Sequence, residues 1–224
     1  MNRLTYAILA GGRCARPYCT RAQPVTKILR ISVDRGVSYS KLEGAPDKYT
    51  VVYHPGFLSC KWGQKSTMLA EFCREKRLSF LTYEYEGVGE SPGLSLDKTP
   101  FHNWVEDAKL IMENCTEGPV IFVASSMGTW LSTLGAQDFF DRVKGIILVG
   151  GAFNFLYKYY VQFQKFASSE DMEMPYQQMM QDIPMVFPEA KIDFYLRRNG
   201  YHRMAEPEDL QLLRNTLEEL IRSL

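Results

Sequence analysis

The most regular feature of the chain is a series of short apolar runs separated by segments of helical period. Tyr49–Tyr53, Leu78–Tyr85, Val120–Val123 and Lys144–Gly150 are rich in β-branched and aromatic residues and end in Gly, Pro or small polar residues, as buried strands do. Between them, Thr67–Arg77 places Met68, Leu69, Phe72 and Cys73 on one side of a predicted helix. Thr99 followed by Pro100 predicts an N-cap and first helical residue, ahead of an apolar face of Phe101, Trp104, Ala108, Ile111 and Met112. Trp130, Leu131 and Leu134 recur at helical spacing, and Pro207 opens an amphipathic helix that presents Leu210, Leu213, Leu217, Leu220 and Ile221. Strands alternating with helices predict an α/β domain with a mostly parallel sheet, helices on both faces and any site along the C-terminal strand edge. Ala190–Leu196 alternates as a half-exposed edge strand does. Phe153–Phe166 fits a strand through Phe153, Phe155, Tyr157 and Tyr159, and a helix through Tyr159, Phe163 and Phe166.

Length and charge narrow the class. At 224 residues, with 46% apolar residues, the chain is long enough for one domain with a sizeable core. A formal net charge of zero argues against nucleic-acid binding through bulk positive charge. No apolar run is long enough to span a bilayer. Five scattered cysteines without a C-x-x-C pair point to a reducing compartment and neither a disulfide framework nor zinc. Before Asp34 there are six basic residues (Arg3, Arg13, Arg16, Arg21, Lys27 and Arg30) and no acidic one. This predicts a mitochondrial transit peptide or disordered basic tail over residues 1–33, with the folded domain over residues 34–224. Within that tail, Ala7-Ile8-Leu9-Ala10-Gly11-Gly12 is similar to the opening of sugar-nucleotide nucleotidyltransferases, but the segments that follow fit another fold better.

The candidate chemistry lies at Ala124-Ser125-Ser126-Met127-Gly128. A strand, a turn of small residues and a helix form the setting of the G-x-S-x-G nucleophile elbow, with Ala124 here in the place of the first Gly. Small residues are needed because the turn brings strand and helix backbones together. Ser126 takes the central, nucleophile position, and Ser125 is the next candidate. His202 follows the last predicted strand and precedes the terminal helix, giving the Ser…Asp/Glu…His order of α/β-hydrolases. The glycines of Glu86-Gly87-Val88-Gly89-Glu90-Ser91-Pro92-Gly93 do not open a helix, so they predict a wide turn and not a dinucleotide loop. His102 reads as a surface or core histidine.

Four stretches carry a family resemblance: Tyr53–Ser59, Tyr85–Ser91, Ala124–Leu131, and His202-Arg203-Met204 with Asp209–Leu213 behind it. In these the chain resembles the α/β-hydrolase family of mitochondrial palmitoyl-protein thioesterases that also act as acyl-glucuronide esterases. The resemblance implies a matrix serine hydrolase acting on S-acylated proteins or small activated acyl esters, with no cofactor and no metal. Carried over by position, Ser126 is the nucleophile, His202 the general base, and Asp171, four residues before Pro175, the triad acid, with Glu170 as the fallback. The backbone N–H groups of Phe57 and Met127 form the oxyanion hole, and His54 is structural.

The chain departs from the family pattern between Gly150 and Asp171. The family inserts a cap of several helices there, and only Gly151–Tyr159 precedes the segment that could be the acid-bearing strand. The expectation is therefore an α/β-hydrolase without its cap domain. Two functions follow from it: an open-sited serine thioesterase, or a truncated, catalytically weak or inactive hydrolase-like binding protein.

Overall fold

Apolar runs without alternation are explained when both faces of a sheet are covered, and the computed structural model has that arrangement. It describes residues 23–151 and 203–224. Among these, six strands form one sheet: β1 (Thr26–Arg30), β2 (Gly36–Leu42), β3 (Thr50–His54), β4 (Ser79–Glu84), β5 (Val120–Ser125) and β6 (Val143–Val149). Their order across the sheet is β1-β2-β4-β3-β5-β6. The β1–β2 and β2–β4 pairs are antiparallel, and β4, β3, β5 and β6 run parallel. The helices are α1 (Gln64–Lys76), α2 (Phe101–Cys115), α3 (Met127–Ala136) and α4 (Pro207–Ser223). This is the α/β-hydrolase fold.

Successive side chains of the central strands go to opposite cores. Val52, Leu81, Tyr83, Val120 and Phe122 join Trp104, Ile111 and Leu131 of α2 and α3 on one face. Val51, Tyr53, Phe80, Ile121 and Val123 join Leu69, Phe72, Leu213 and Leu217 of α1 and α4 on the other. The strands therefore lose the polar alternation of a one-sided sheet.

Three boundaries differ from expectation. The folded domain begins before residue 34, because Thr26–Arg30 pairs in register with Gly36–Ser40. Leu29 and Ile31 pack against the core, while the basic side chains stay at the sheet edge, where charge is tolerated. Helix α2 starts at Phe101, with Pro100 rather than Thr99 as its N-cap. The Thr99 hydroxyl donates backward to the carbonyls of Ser95 (3.0 Å) and Leu94 (3.3 Å), so it caps nothing ahead of it. Helix α1 starts three residues before Thr67, where the Ser66 hydroxyl accepts the Gly63 N–H at 2.8 Å. Phe153–Phe166, Ala190–Leu196 and the expected place of the cap lie outside the described residues.

Two loops at the C-terminal strand edge are anchored by buried charge. After β3, Lys61 sits with its side chain 3% exposed, its ammonium 2.9 Å from Glu84 and also paired with Glu90. Glu84 in turn accepts the N–H groups of Lys61 (3.1 Å) and Glu90 (2.9 Å), so one carboxylate ties the loops after β3 and β4 together. Removing one partner of a buried pair leaves the other charge uncompensated. Lys61→Met is expected to destabilise the protein by about 3–5 kcal/mol in urea unfolding, and adding Glu84→Leu to recover a large part of that loss. Equal stability of the single and double variants would show that the pair does not hold these loops.

Candidate active site

Ser126 stands between the end of β5 and the start of α3 with φ 52° and ψ −123°. A non-glycine residue at positive φ is strained, and such strain collects at functional sites. The turn is held from both sides. The Ser126 N–H donates to the Val149 carbonyl at 3.0 Å, and the Ser126 carbonyl accepts both the N–H (3.0 Å) and hydroxyl (2.6 Å) of Thr129. The strand-to-helix crossing requires glycine at 128. A Cβ there would come within 2.3 Å of the His54 carbonyl oxygen and 2.6 Å of that of Pro55. Ala124, fully buried opposite His54 and Leu148 in the sheet, accommodates its methyl.

The β3 loop closes on the same point. A Cβ at Gly56 would be 3.1 Å from Ser126 Cβ and 3.2 Å from the Ser125 carbonyl oxygen, so the backbone there passes directly against the elbow. The structure thus brings Ser126 and Met127 beside Gly56, the residue before Phe57. Leu58 follows with φ 57°. Met127 is buried, whereas Phe57 is 39% exposed. Asp171, Glu170 and His202 lie outside the described residues. His102 is exposed on α2.

An aromatic row borders this region. Phe57 faces Trp104 at 6.0 Å between ring centroids, Trp104 meets Phe101 at 6.1 Å, and Phe101 stacks on Trp130 at 4.2 Å. The Trp104 indole N–H donates to the Glu86 carbonyl at 3.0 Å. Around Glu86, Arg35 contacts the carboxylates of Glu86 (2.9 Å) and Asp107 (2.7 Å), and Asp107 accepts the Glu86 N–H at 2.8 Å. Burial pushes the Asp107 carboxyl up to about 7, opposed by that N–H and by Arg35. Glu86 also accepts from the Leu94 N–H and the Asn103 amide. Sequence reasoning did not find these anchors. Their signal was present as Glu84, Glu86 and Glu90 in a turn with no cation of its own, which obliges the fold to supply Lys61 and Arg35 from elsewhere.

His54, the histidine of the β3 loop, is 1% exposed. Its Nδ1 lies 2.8 Å from the Tyr83 hydroxyl, and its Nε2 has no hydrogen-bond partner among the described residues. Burial lowers its pKa from 6.5 to about 3, so it is neutral and serves as packing between Tyr83 and Phe122. No group of histidine, cysteine and carboxylate side chains among the described residues could hold a metal ion. No helix among them is long and apolar enough to cross a membrane.

Comparison with known proteins agrees with this fold. The family described as serine aminopeptidase, S33 (Hydrolase_4), matches residues 46–208. The chain is 26% identical to human mitochondrial palmitoyl-protein thioesterase ABHD10, in an alignment of 237 residues covering 83% of this chain and 76% of that protein. The alignment is longer than the part of this chain it covers, so the human protein carries residues with no counterpart here. The structure of mouse alpha/beta hydrolase domain-containing protein 10 superposes with a TM-score of 0.76 at 23% identity, over 89% of this chain and 99% of that one. An alpha-beta serine hydrolase homologue from Coxiella burnetii gives 0.61 at 18% identity, over 92% and 100%.

The buried neutral histidine gives a pH dependence of stability. Its folded pKa is below the unfolded value, so the unfolded state takes up the proton first and stability is lost as pH falls from 6.5 toward about 3. Between about pH 6.5 and about pH 4.5, the wild type should lose roughly 2 kcal/mol more than His54→Gln in urea unfolding. Parallel pH profiles for the two proteins would contradict a neutral buried His54.

Proposed function

The chain belongs to the hydrolase family described as serine aminopeptidase, S33, and on that premise we propose that it is a serine hydrolase that cleaves acyl thioesters, including S-palmitoylated proteins, and activated carboxylic esters such as acyl glucuronides. The observation that carries this reading is the strained turn at Ser126, held against the β3 loop by Gly56 and Gly128. The likeness to proteins named palmitoyl-protein thioesterase supports the thioester substrate. The aromatic row Phe57, Trp104, Phe101 and Trp130 supports an apolar acyl group.

In this mechanism the Ser126 hydroxyl attacks the acyl carbonyl while His202 takes its proton. The backbone N–H groups of Phe57 and Met127 stabilise the oxyanion, each donor contributing about 2.7–4 kcal/mol in the transition state. The thiol or alcohol leaves with the proton from His202, and water then hydrolyses the acyl-enzyme by the same route. Asp171 orients His202 and stabilises the imidazolium. The basic segment ahead of β1 acts as the import signal to mitochondria, in keeping with the relatives named mitochondrial.

A second reading has its own observation. Only Gly151–Tyr159 separates Gly150 from Tyr160–Phe166, the segment that could be the acid-bearing strand, which gives a parallel crossover little room, since such connections usually take a dozen residues or more. A loosely held acid makes the chain a weak hydrolase or an inactive binding protein.

Ser126→Ala is expected to abolish turnover of a nitrophenyl ester and of a palmitoyl thioester while leaving the fold intact. Single-turnover acylation should fall about 10²–10⁴-fold in His202→Ala and much less in Asp171→Asn. Unchanged turnover in Ser126→Ala would remove the assignment. Equal losses in all three variants would show a fully formed triad. A folded parent protein that a fluorophosphonate probe does not label would favour the binding-protein reading.

N-terminal sequencing of protein recovered from mitochondria is expected to begin ahead of Thr26, since β1 is part of the sheet. An intact Met1 would contradict the import signal.

A further inference from the structure

Helices α1 and α4 lie against each other on one face of the sheet. Lys76 donates to Glu218 at 2.7 Å, Arg214 donates to Glu75 at 2.5 Å, and the Arg214 guanidinium stands 5.0 Å from the centre of the Phe72 ring. These contacts are exposed or partly exposed, and ion pairs of that kind contribute little.

The N-terminal end of α1 is different. Lys65, half-buried, donates its ammonium to the backbone carbonyl of Arg203. Among the described residues, the charged groups that act on it are Asp209, which favours the ammonium, and the Arg203 guanidinium, which opposes it. Asp209 is 4% exposed, and its Oδ2 accepts the Glu206 N–H at 3.2 Å, closing the first turn of α4. Pro207 follows at the first helical position. One lysine therefore holds a carbonyl ahead of α4 and feels the charge of the carboxylate that caps it. Arg203 is bonded directly to His202.

We infer that Lys65 is a positioning residue for the proposed reaction: by holding the Arg203 carbonyl beside the Asp209 cap, it fixes the backbone next to His202. The inference rests on His202 being the base. A base must keep hydrogen-bond reach to the nucleophile, and small displacements of such groups are costly in rate. Lys65 acts without touching substrate.

The tie depends on charge as well as on the donor. Burial lowers the Lys65 pKa from 10.5 to about 8, with Asp209 raising it and Arg203 lowering it further. The ammonium is present below about pH 8 and is lost as pH rises through that value. The neutral amine still donates a hydrogen bond but no longer attracts Asp209.

The test uses the full chain with a nitrophenyl ester, comparing Lys65→Met, Lys65→Gln and Lys65→Arg. The wild-type kcat should decline on the alkaline side around pH 8. Lys65→Arg should keep most of the neutral-pH rate and shift that decline by about two pH units or more, because guanidinium stays charged. Lys65→Met should lose about tenfold in kcat with KM nearly unchanged and without the alkaline decline, and Lys65→Gln should fall between. Wild-type kcat and an unshifted decline in Lys65→Met and Lys65→Gln would overturn the inference. Amide hydrogen exchange gives a readout independent of turnover. The amides of residues 203–210 should exchange about tenfold faster in Lys65→Met, while those of α2 stay as in the wild type. Unchanged exchange at residues 203–210 would overturn the inference even if Ser126 and His202 prove catalytic. Full activity of His202→Ala would overturn the functional reading instead, while exchange would still judge the tie.

Discussion

The approach of α3 to the β3 loop is the constraint on which the rest of the molecule depends. A helix can start directly from β5 only if its first turn fits under the carbonyls of His54 and Pro55, and Gly128 leaves that space. The same fit turns Ser126 to positive φ, at a cost of about 1–3 kcal/mol. The surrounding sheet over-determines the turn. Register places His54 opposite Ala124 and Ser125 opposite Val149, and Val149 supplies the carbonyl that receives the Ser126 N–H. Moving any one of these strands by a residue would put the wrong side chain against the elbow, since a single-residue slip reverses every side chain of a strand.

Around that fixed point, the loops of the C-terminal strand edge are held by charge. Glu84 and Glu86 lie two residues apart at the end of β4 and point to different partners, Lys61 and Arg35. A loop rich in glycine has a large conformational entropy to lose, and carboxylates that accept several backbone N–H groups order it. Gly89 shows how closely the two are fitted, for a Cβ there would meet the Glu84 carboxylate at 2.3 Å. The apolar cores set the layers of the fold, and these buried carboxylates set the shape of its rim.

The parts of this arrangement that were legible in the sequence share a physical reason. β3, β4, β5 and β6 stand out as apolar runs because helices cover both faces of their sheet, and the Ser126 turn stands out because close packing allows only small residues there. β1 lies at the sheet edge with β2 beside it, and there Lys27, Arg30, Ser38 and Ser40 break up the apolar signal and basic charge imitates a tail. The start of α2 differs from the expectation because Thr-Pro has the composition of a cap, whereas the preceding turn offers the Thr99 hydroxyl two carbonyls. Lys65 and Arg203 are separated by 138 positions, and a lone lysine on a helix gives no sign of so distant a carbonyl. Expectations for Asp171 and His202 rest on chain order and family resemblance, and those residues lie outside the described ones.

The division of the interior into two cores has a consequence for how the protein is made. The face formed by Val51, Phe80, Ile121 and Val123 is complete once β5 has been synthesised, yet Leu213 and Leu217 reach it only with α4. Domains emerge from the ribosome at about 5–20 residues per second, so that face waits seconds for its α4 side chains during translation. Chains paused before residue 207 would have Leu69 and Phe72 of α1 on this face but not Leu213 and Leu217. The order of synthesis therefore makes this core the later of the two to close, because its packing waits on α4.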